Sequence, residues 1–78
     1  MTTIDKIKSV LSQVLDLPED QIADGFSSDD SEAWSSLTHL TVILCLESEF
    51  GVQFTDQEAV ELQSVGKIRE ALRARGIE

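Results

Sequence analysis

The chain has one cysteine, Cys45, and one histidine, His39. A lone cysteine excludes an intramolecular disulfide and a cysteine zinc site. No apolar run approaches the roughly 20 residues of a membrane span; the longest is VILCL, Val42 to Leu46. The opening MTTIDKIKSV lacks the apolar stretch that follows the basic residues of a secretory signal. A reducing cytoplasm, without membrane attachment, is therefore the expectation. Positive charge is also scarce. No Lys or Arg stands between Lys8 and Lys67, an interval that holds twelve of the fifteen acidic residues. Nucleic-acid binding depends on Lys and Arg to neutralise phosphates, so a chain with formal charge −9 is not expected to bind it. The acidic interval suits steering toward a basic partner surface, or simple solubility. No segment alternates over a strand's length, none repeats, and none is of low complexity.

What remains is helical periodicity. Ile4, Ile7, Val10, Leu11, Val14 and Leu15 form one stripe behind a possible cap at Thr2 or Thr3. The pattern fades near Leu17-Pro18, where proline restricts the residue before it. Residues 16–35 read as a long ordered loop pinned by Ile22, Phe26 and Trp34. Its acidic residues do not fit an EF-hand: with Asp20 at the first ligand position, Ser31 falls where the bidentate Glu is needed. A second helix runs from about Ser36 to Phe50 and stops at Gly51. After the extended link Val52-Gln53-Phe54, a capping box at Thr55 and Glu58 opens a short third helix. Ser64 caps a fourth, with Val65, Ile68, Ala71 and Leu72 on one face and Gly76 at its end. Arg73 and Arg75 near that end suit the helix dipole. The expectation is one all-α domain over residues 1–78, a small four-helix bundle with a long first loop. Chains this short bury only about 60–65% of their unfolded surface, so a deep catalytic cleft is hard to build.

The second helix is apolar on two sides. Val42, Ile43, Leu46 and Phe50, with His39 among them, form the core stripe. Leu37, Leu40 and Leu44 cluster elsewhere at i, i+3 and i+7. Such a strip is either enclosed by the long loop or offered to a partner, and docking through these spacings is a known mode of recognition. A domain this small has little material to enclose it. Two serines open the helix, where unpaired N–H groups and the dipole favour an anion. Ser35 is placed to cap, which leaves Ser36 reachable for modification. A phosphate ester on Ser36 would sit near the positive helix end.

Trp34-Ser35-Ser36-Leu37-Thr38-His39-Leu40, followed by Leu46-Glu47-Ser48-Glu49-Phe50-Gly51-Val52, resembles the phosphopantetheine attachment region of acyl carrier proteins. Phe54-Thr55-Asp56 and Leu62-Gln63-Ser64-Val65-Gly66-Lys67-Ile68 are similar to that family's entries to its third and fourth helices. The likeness covers nearly the whole chain and is weakest from Asp20 to Ala33. The resemblance implies a carrier rather than an enzyme. A phosphopantetheinyl transferase would move 4′-phosphopantetheine from coenzyme A onto Ser36. The arm's thiol would hold an acyl, polyketide or aminoacyl group as a thioester. Leu37, Leu40 and Leu44, with Glu47 as an acidic contact, would dock acyl-transferring, ketosynthase or adenylation-type enzymes through basic patches. No metal and a monomeric state are expected. The chain departs from the family at Ser35, where the family usually has Asp. Capping survives that change, but a salt bridge to the transferase does not. Thr41 and Ser48 are neutral where fatty-acid members are often acidic, and Trp34 with His39 looks more like carriers of accessory pathways.

Two rival readings carry different tests. An esterase would pair Ser36 with His39, three residues on, but no orienting acid, oxyanion hole or pocket is evident. His39 is more simply a packed residue that holds Trp34, itself a loop anchor. Cys45 lies about 120° from His39 on the helical wheel, forms no dyad with it, and reads as a small packing residue. A non-carrier interaction module would dock through the same strip with Ser36 unmodified.

Overall fold

Thr2 opens the first helix. Its hydroxyl accepts from the Asp5 N–H, and the Asp5 carboxylate accepts from the Thr2 N–H, both at 3.2 Å. This reciprocal pair satisfies donors that have no partner inside the helix. The computed structural model describes residues 2–77; the outermost residues of the expected 1–78 domain, Met1 and Glu78, lie outside the described residues. Helix α1 spans Thr3–Leu15, α2 Ser36–Phe50, α3 Asp56–Glu61 and α4 Val65–Arg73. Among the described residues there is no strand, only an isolated backbone bridge between Ser27 and Ser64. The chain is all-α.

The core comes from three helices and a loop. Helix α1 supplies Ile7, Val10, Leu11 and Leu15, α2 supplies Val42, Ile43 and Leu46, and α4 supplies Val65, Ile68 and Leu72. Helix α1 packs against both α2 and α4. Helix α3 buries none of its own residues; Leu62, just after it, is its anchor to the core. Ala59 of the helix also packs, half-buried, against that core, and polar contacts add to the hold. At its start, Thr55 and Glu58 form the expected capping box. Arg75 reaches across from beyond α4, meeting the Glu58 carboxylate at 2.6 Å and the Gln53 carbonyl at 3.1 Å. Its guanidinium also lies 4.7 Å from the centre of the Phe54 ring, a cation–π arrangement.

The helix ends differ modestly from the sequence expectation. Helix α1 stops at Leu15, ahead of Leu17-Pro18, because Asp16 takes the left-handed conformation, φ 56°. Asp tolerates that region better than most residues. The Ser12 hydroxyl then donates to the Leu17 carbonyl and fixes the exit. Helix α4 ends at Arg73, and a turn carries the chain to Gly76 at φ 83°. Gly51 ends α2 in the left-handed conformation, φ 65°, as the sequence implies.

Residues 16–35 contain two short 3-10 turns, Glu19–Gln21 and Ser28–Asp30. Ile22, Phe26 and Trp34 are all buried, so the segment is pinned where the sequence places its anchors. The loop is also bonded to the link between α3 and α4. The Ser28 N–H donates to the Gln63 carbonyl and the Val65 N–H to the Phe26 carbonyl, each at 2.9 Å. This clamp brings the loop, α3 and the start of α2 around one surface.

Candidate functional site

The serine end of α2 is built by two caps and a free hydroxyl. Ser35 is the N-cap, and its side chain accepts from the Thr38 N–H at 3.4 Å. The Thr38 hydroxyl accepts from the Ser35 N–H at 2.7 Å and donates to the Ala33 carbonyl at 2.6 Å. Thr38 thus replaces the Glu or Gln of an ordinary capping box and also ties the loop's end to the helix. Ser36 is the first helical residue and is exposed. The capping bonds run to Ser35 and Thr38 and leave the Ser36 side chain at the positive end of a 15-residue helix.

Leu37, Leu40 and Leu44 are 81%, 64% and 65% exposed. The loop does not enclose them. Val60 of α3, 65% exposed, joins this apolar surface. A cleft of about 650 Å³ lies between the serine end of α2, the loop and α3, with Trp34, Ser35, Ser36, His39, Leu40 and Val60 among its walls. Glu47, expected among the docking residues, is half-buried. Its carboxylate accepts from the Phe54 N–H at 2.8 Å and so holds the link that leads into α3.

His39 lies on the cleft's inner wall, half-buried. Its Nδ1 is 2.9 Å from the Trp34 Nε1, and its Nε2 is 2.6 Å from the Ala59 carbonyl oxygen. Indole N–H only donates and a carbonyl only accepts, so the imidazole is neutral with its proton on Nε2. Its one acceptor nitrogen is occupied by Trp34. The Trp34 ring is buried and stacks on Phe26 at 6.0 Å and on His39 at 6.1 Å. The expected roles of His39 as a holder of Trp34, and of Trp34 as a loop anchor, are what the geometry displays. Cys45 is half-buried and packs against the core.

The structure brings Ser35, Ser36, Leu40, Trp34 and His39 to one cleft; Glu47 serves the far end of α2. Three contributors escape a sequence reading. Thr38 looks like an ordinary helical threonine, although its position three residues after the cap was the available signal. Val60 stands alone in a polar helix. Arg75 reads as a dipole cation, yet with Thr55 it holds the Glu58 carboxyl down to about 2. Among the described residues no group of three His, Cys, Asp or Glu side chains is disposed to hold a metal ion. No described helix is long and apolar enough to cross a membrane. No family model matches the chain.

Proposed function

We propose that this chain is a carrier protein, modified on Ser36 by 4′-phosphopantetheine and built as a small four-helix bundle. The observation that carries the reading is the placement of Ser36. It is an exposed hydroxyl at the first position of α2, free of capping duty, beside an exposed strip of leucines. In the modification, Ser36 Oγ forms a bond to the phosphorus of coenzyme A that bears the pantetheine. The hydroxyl proton passes to the transferase, and the nucleotide leaves. The product phosphodiester would be favoured by the α2 dipole, typically by about 0.3–1 kcal/mol at an exposed site. The arm's thiol then carries an acyl, polyketide or aminoacyl group as a thioester. Tethering raises its effective concentration at each enzyme that docks on Leu37, Leu40 and Leu44, with Glu47 at the strip's end. The lack of basic residues between Lys8 and Lys67 suits partners with basic patches. The protein acts as a cytoplasmic monomer in this reading and performs no catalysis itself. An esterase is disfavoured because His39 has no free nitrogen to accept the Ser36 proton.

Ser35, in place of the usual Asp, favours one second reading: a carrier-like docking module whose serine stays unmodified. Incubation with coenzyme A and a broad-specificity phosphopantetheinyl transferase separates the two. A carrier gains one phosphopantetheinyl group; folded protein that gains none is the module.

A further inference from the structure

Ser36 lies within a ring that Thr38 closes onto Ser35. The Thr38 hydroxyl accepts from the Ser35 N–H at 2.7 Å, and the Thr38 N–H reaches the Ser35 hydroxyl at 3.4 Å. Ser36 and Leu37 are the residues enclosed. The first backbone bond of α2, from the His39 N–H to the Ser35 carbonyl at 2.8 Å, spans them too. The two side-chain bonds are unequal, since N–H···O bonds usually measure about 2.7–3.2 Å. The Thr38 hydroxyl also has one proton to give. It goes to the Ala33 carbonyl at 2.6 Å, because the Ser35 carbonyl, 3.2 Å away, already takes the His39 N–H. Ala33 packs half-buried against the core, and Trp34 beside it is buried. One hydroxyl thus fastens the frame around Ser36 to the anchored end of the loop. We infer that Thr38 is the positioning residue for modification of Ser36: its hydroxyl, more than the Ser35 side chain, holds the Ser36 backbone in the helical frame from which Oγ is presented to the transferase.

This inference rests on the carrier reading and assigns a further residue to it. In the transfer, Ser36 Oγ bonds to phosphorus and its proton passes to a base of the transferase. The adenine nucleotide leaves with the electron pair of the broken P–O bond. This chain's part in the step is geometry, since both nitrogens of the nearby His39 are engaged. Ser36 is the first residue of α2, and helix ends fray. A nucleophile displaced by about 1 Å can lose about 10²-fold in rate. Thr38 opposes that displacement from within the first turn. The side chains of Leu37, Leu40 and Leu44 are exposed and take no part in the ring. Docking and presentation therefore fall to different residues, and kinetics can separate them.

The test compares wild type, Thr38→Val, Thr38→Ser and Ser35→Ala, with coenzyme A and a broad-specificity phosphopantetheinyl transferase. The temperature is one at which circular dichroism shows each protein folded. Single-turnover rates over a range of transferase concentrations give the maximal rate and the half-saturating concentration. Valine keeps the shape of threonine and removes both bonds of the hydroxyl. With each net hydrogen bond moving the balance between framed and frayed Ser36 by up to about tenfold, the maximal rate should fall about tenfold. The half-saturating concentration should stay nearly unchanged, the reverse of what loss of the leucine strip produces. Thr38→Ser keeps the hydroxyl and should recover most of the rate. Ser35→Ala loses only the 3.4 Å contact and should fall less than Thr38→Val. The inference is overturned if Thr38→Val keeps the wild-type maximal rate, if Thr38→Ser is as slow as Thr38→Val, or if Ser35→Ala loses as much. Each of those results leaves the carrier reading standing. Wild type that gains no arm refutes that reading and this inference with it. NMR relaxation of wild type supplies a readout without the transferase. The Ser36 amide should be as ordered as a rigid backbone, with an order parameter of about 0.85, and should loosen in Thr38→Val. Should Thr38→Val not fold, wild type decides: a Ser36 order parameter below about 0.6 overturns the inference.

Discussion

Truncating Trp34 probes how the long loop is ordered. The side chain is 4% exposed, stacks on Phe26 and His39, and spends its N–H on the imidazole. Trp34→Phe keeps a ring against Phe26 but deletes the hydrogen bond, worth about 1 kcal/mol net, and leaves part of the indole volume empty. The sum is about 1–3 kcal/mol. In a domain of this size each kcal/mol moves the melting temperature by about 4–8 °C, so a fall of roughly 5–20 °C is expected. Trp34→Ala should cost about 3–5 kcal/mol. That approaches the lower end of the total stability of small proteins, about 5–15 kcal/mol. Thermal melting by circular dichroism, repeated in urea, reads both. Leu40→Ala is the control, since a 64% exposed side chain should change stability by no more than about 0.5 kcal/mol. A Trp34→Ala variant that melts within a few degrees of wild type would refute the claim that this residue pins the loop.

Replacing Leu37, Leu40 and Leu44 by alanine together should leave melting nearly unchanged but raise the KM for a phosphopantetheinyl transferase more than it lowers kcat; unchanged kinetics would place docking elsewhere. Glu58 has its carboxyl lowered from the ordinary 4.5 to about 2, first by the Arg75 guanidinium and then by the Thr55 N–H. A lowered folded-state value stabilises above the ordinary one and is lost as pH falls through the folded one. The stability gap between wild type and Glu58→Gln should thus be constant above about pH 5 and close between 4.5 and about 2 in acid-melting curves. Gly51→Ala should cost about 1 kcal/mol in urea titration. Its added Cβ meets nothing within 4 Å, so the penalty is that of φ 65° alone, and a much larger loss would point to packing instead.

The helices were legible because their signals are local. Thr55 with Glu58, Ser64 before Val65, and Gly51 after Phe50 are short-range pairs that each mark an end. The two-sided character of α2 was legible too: Leu37, Leu40 and Leu44 are exposed, as a domain this small requires. Contacts made across the fold were not. Arg75 meets Glu58 from 17 residues away and His39 meets Ala59 from 20 away. Nothing near Arg75 or Ala59 in the chain announces either bond. Val60 gains meaning only once α3 is set beside α2 across the cleft. The loop anchors Ile22, Phe26 and Trp34 could be named from their size, but not the backbone bonds that join Phe26 and Ser28 to Val65 and Gln63. The free hydroxyl of the candidate site was readable from the order Ser35-Ser36. That Thr38 would complete the cap required the folded geometry.

The central claim is that Ser36 is a modification site, and intact mass tests it most directly. Wild type, Ser35→Ala and Ser36→Ala are incubated side by side with coenzyme A and a broad-specificity phosphopantetheinyl transferase. The account predicts a gain of one phosphopantetheinyl group in wild type and in Ser35→Ala, and none in Ser36→Ala. No gain in folded wild type, or a gain that persists in Ser36→Ala, would contradict it.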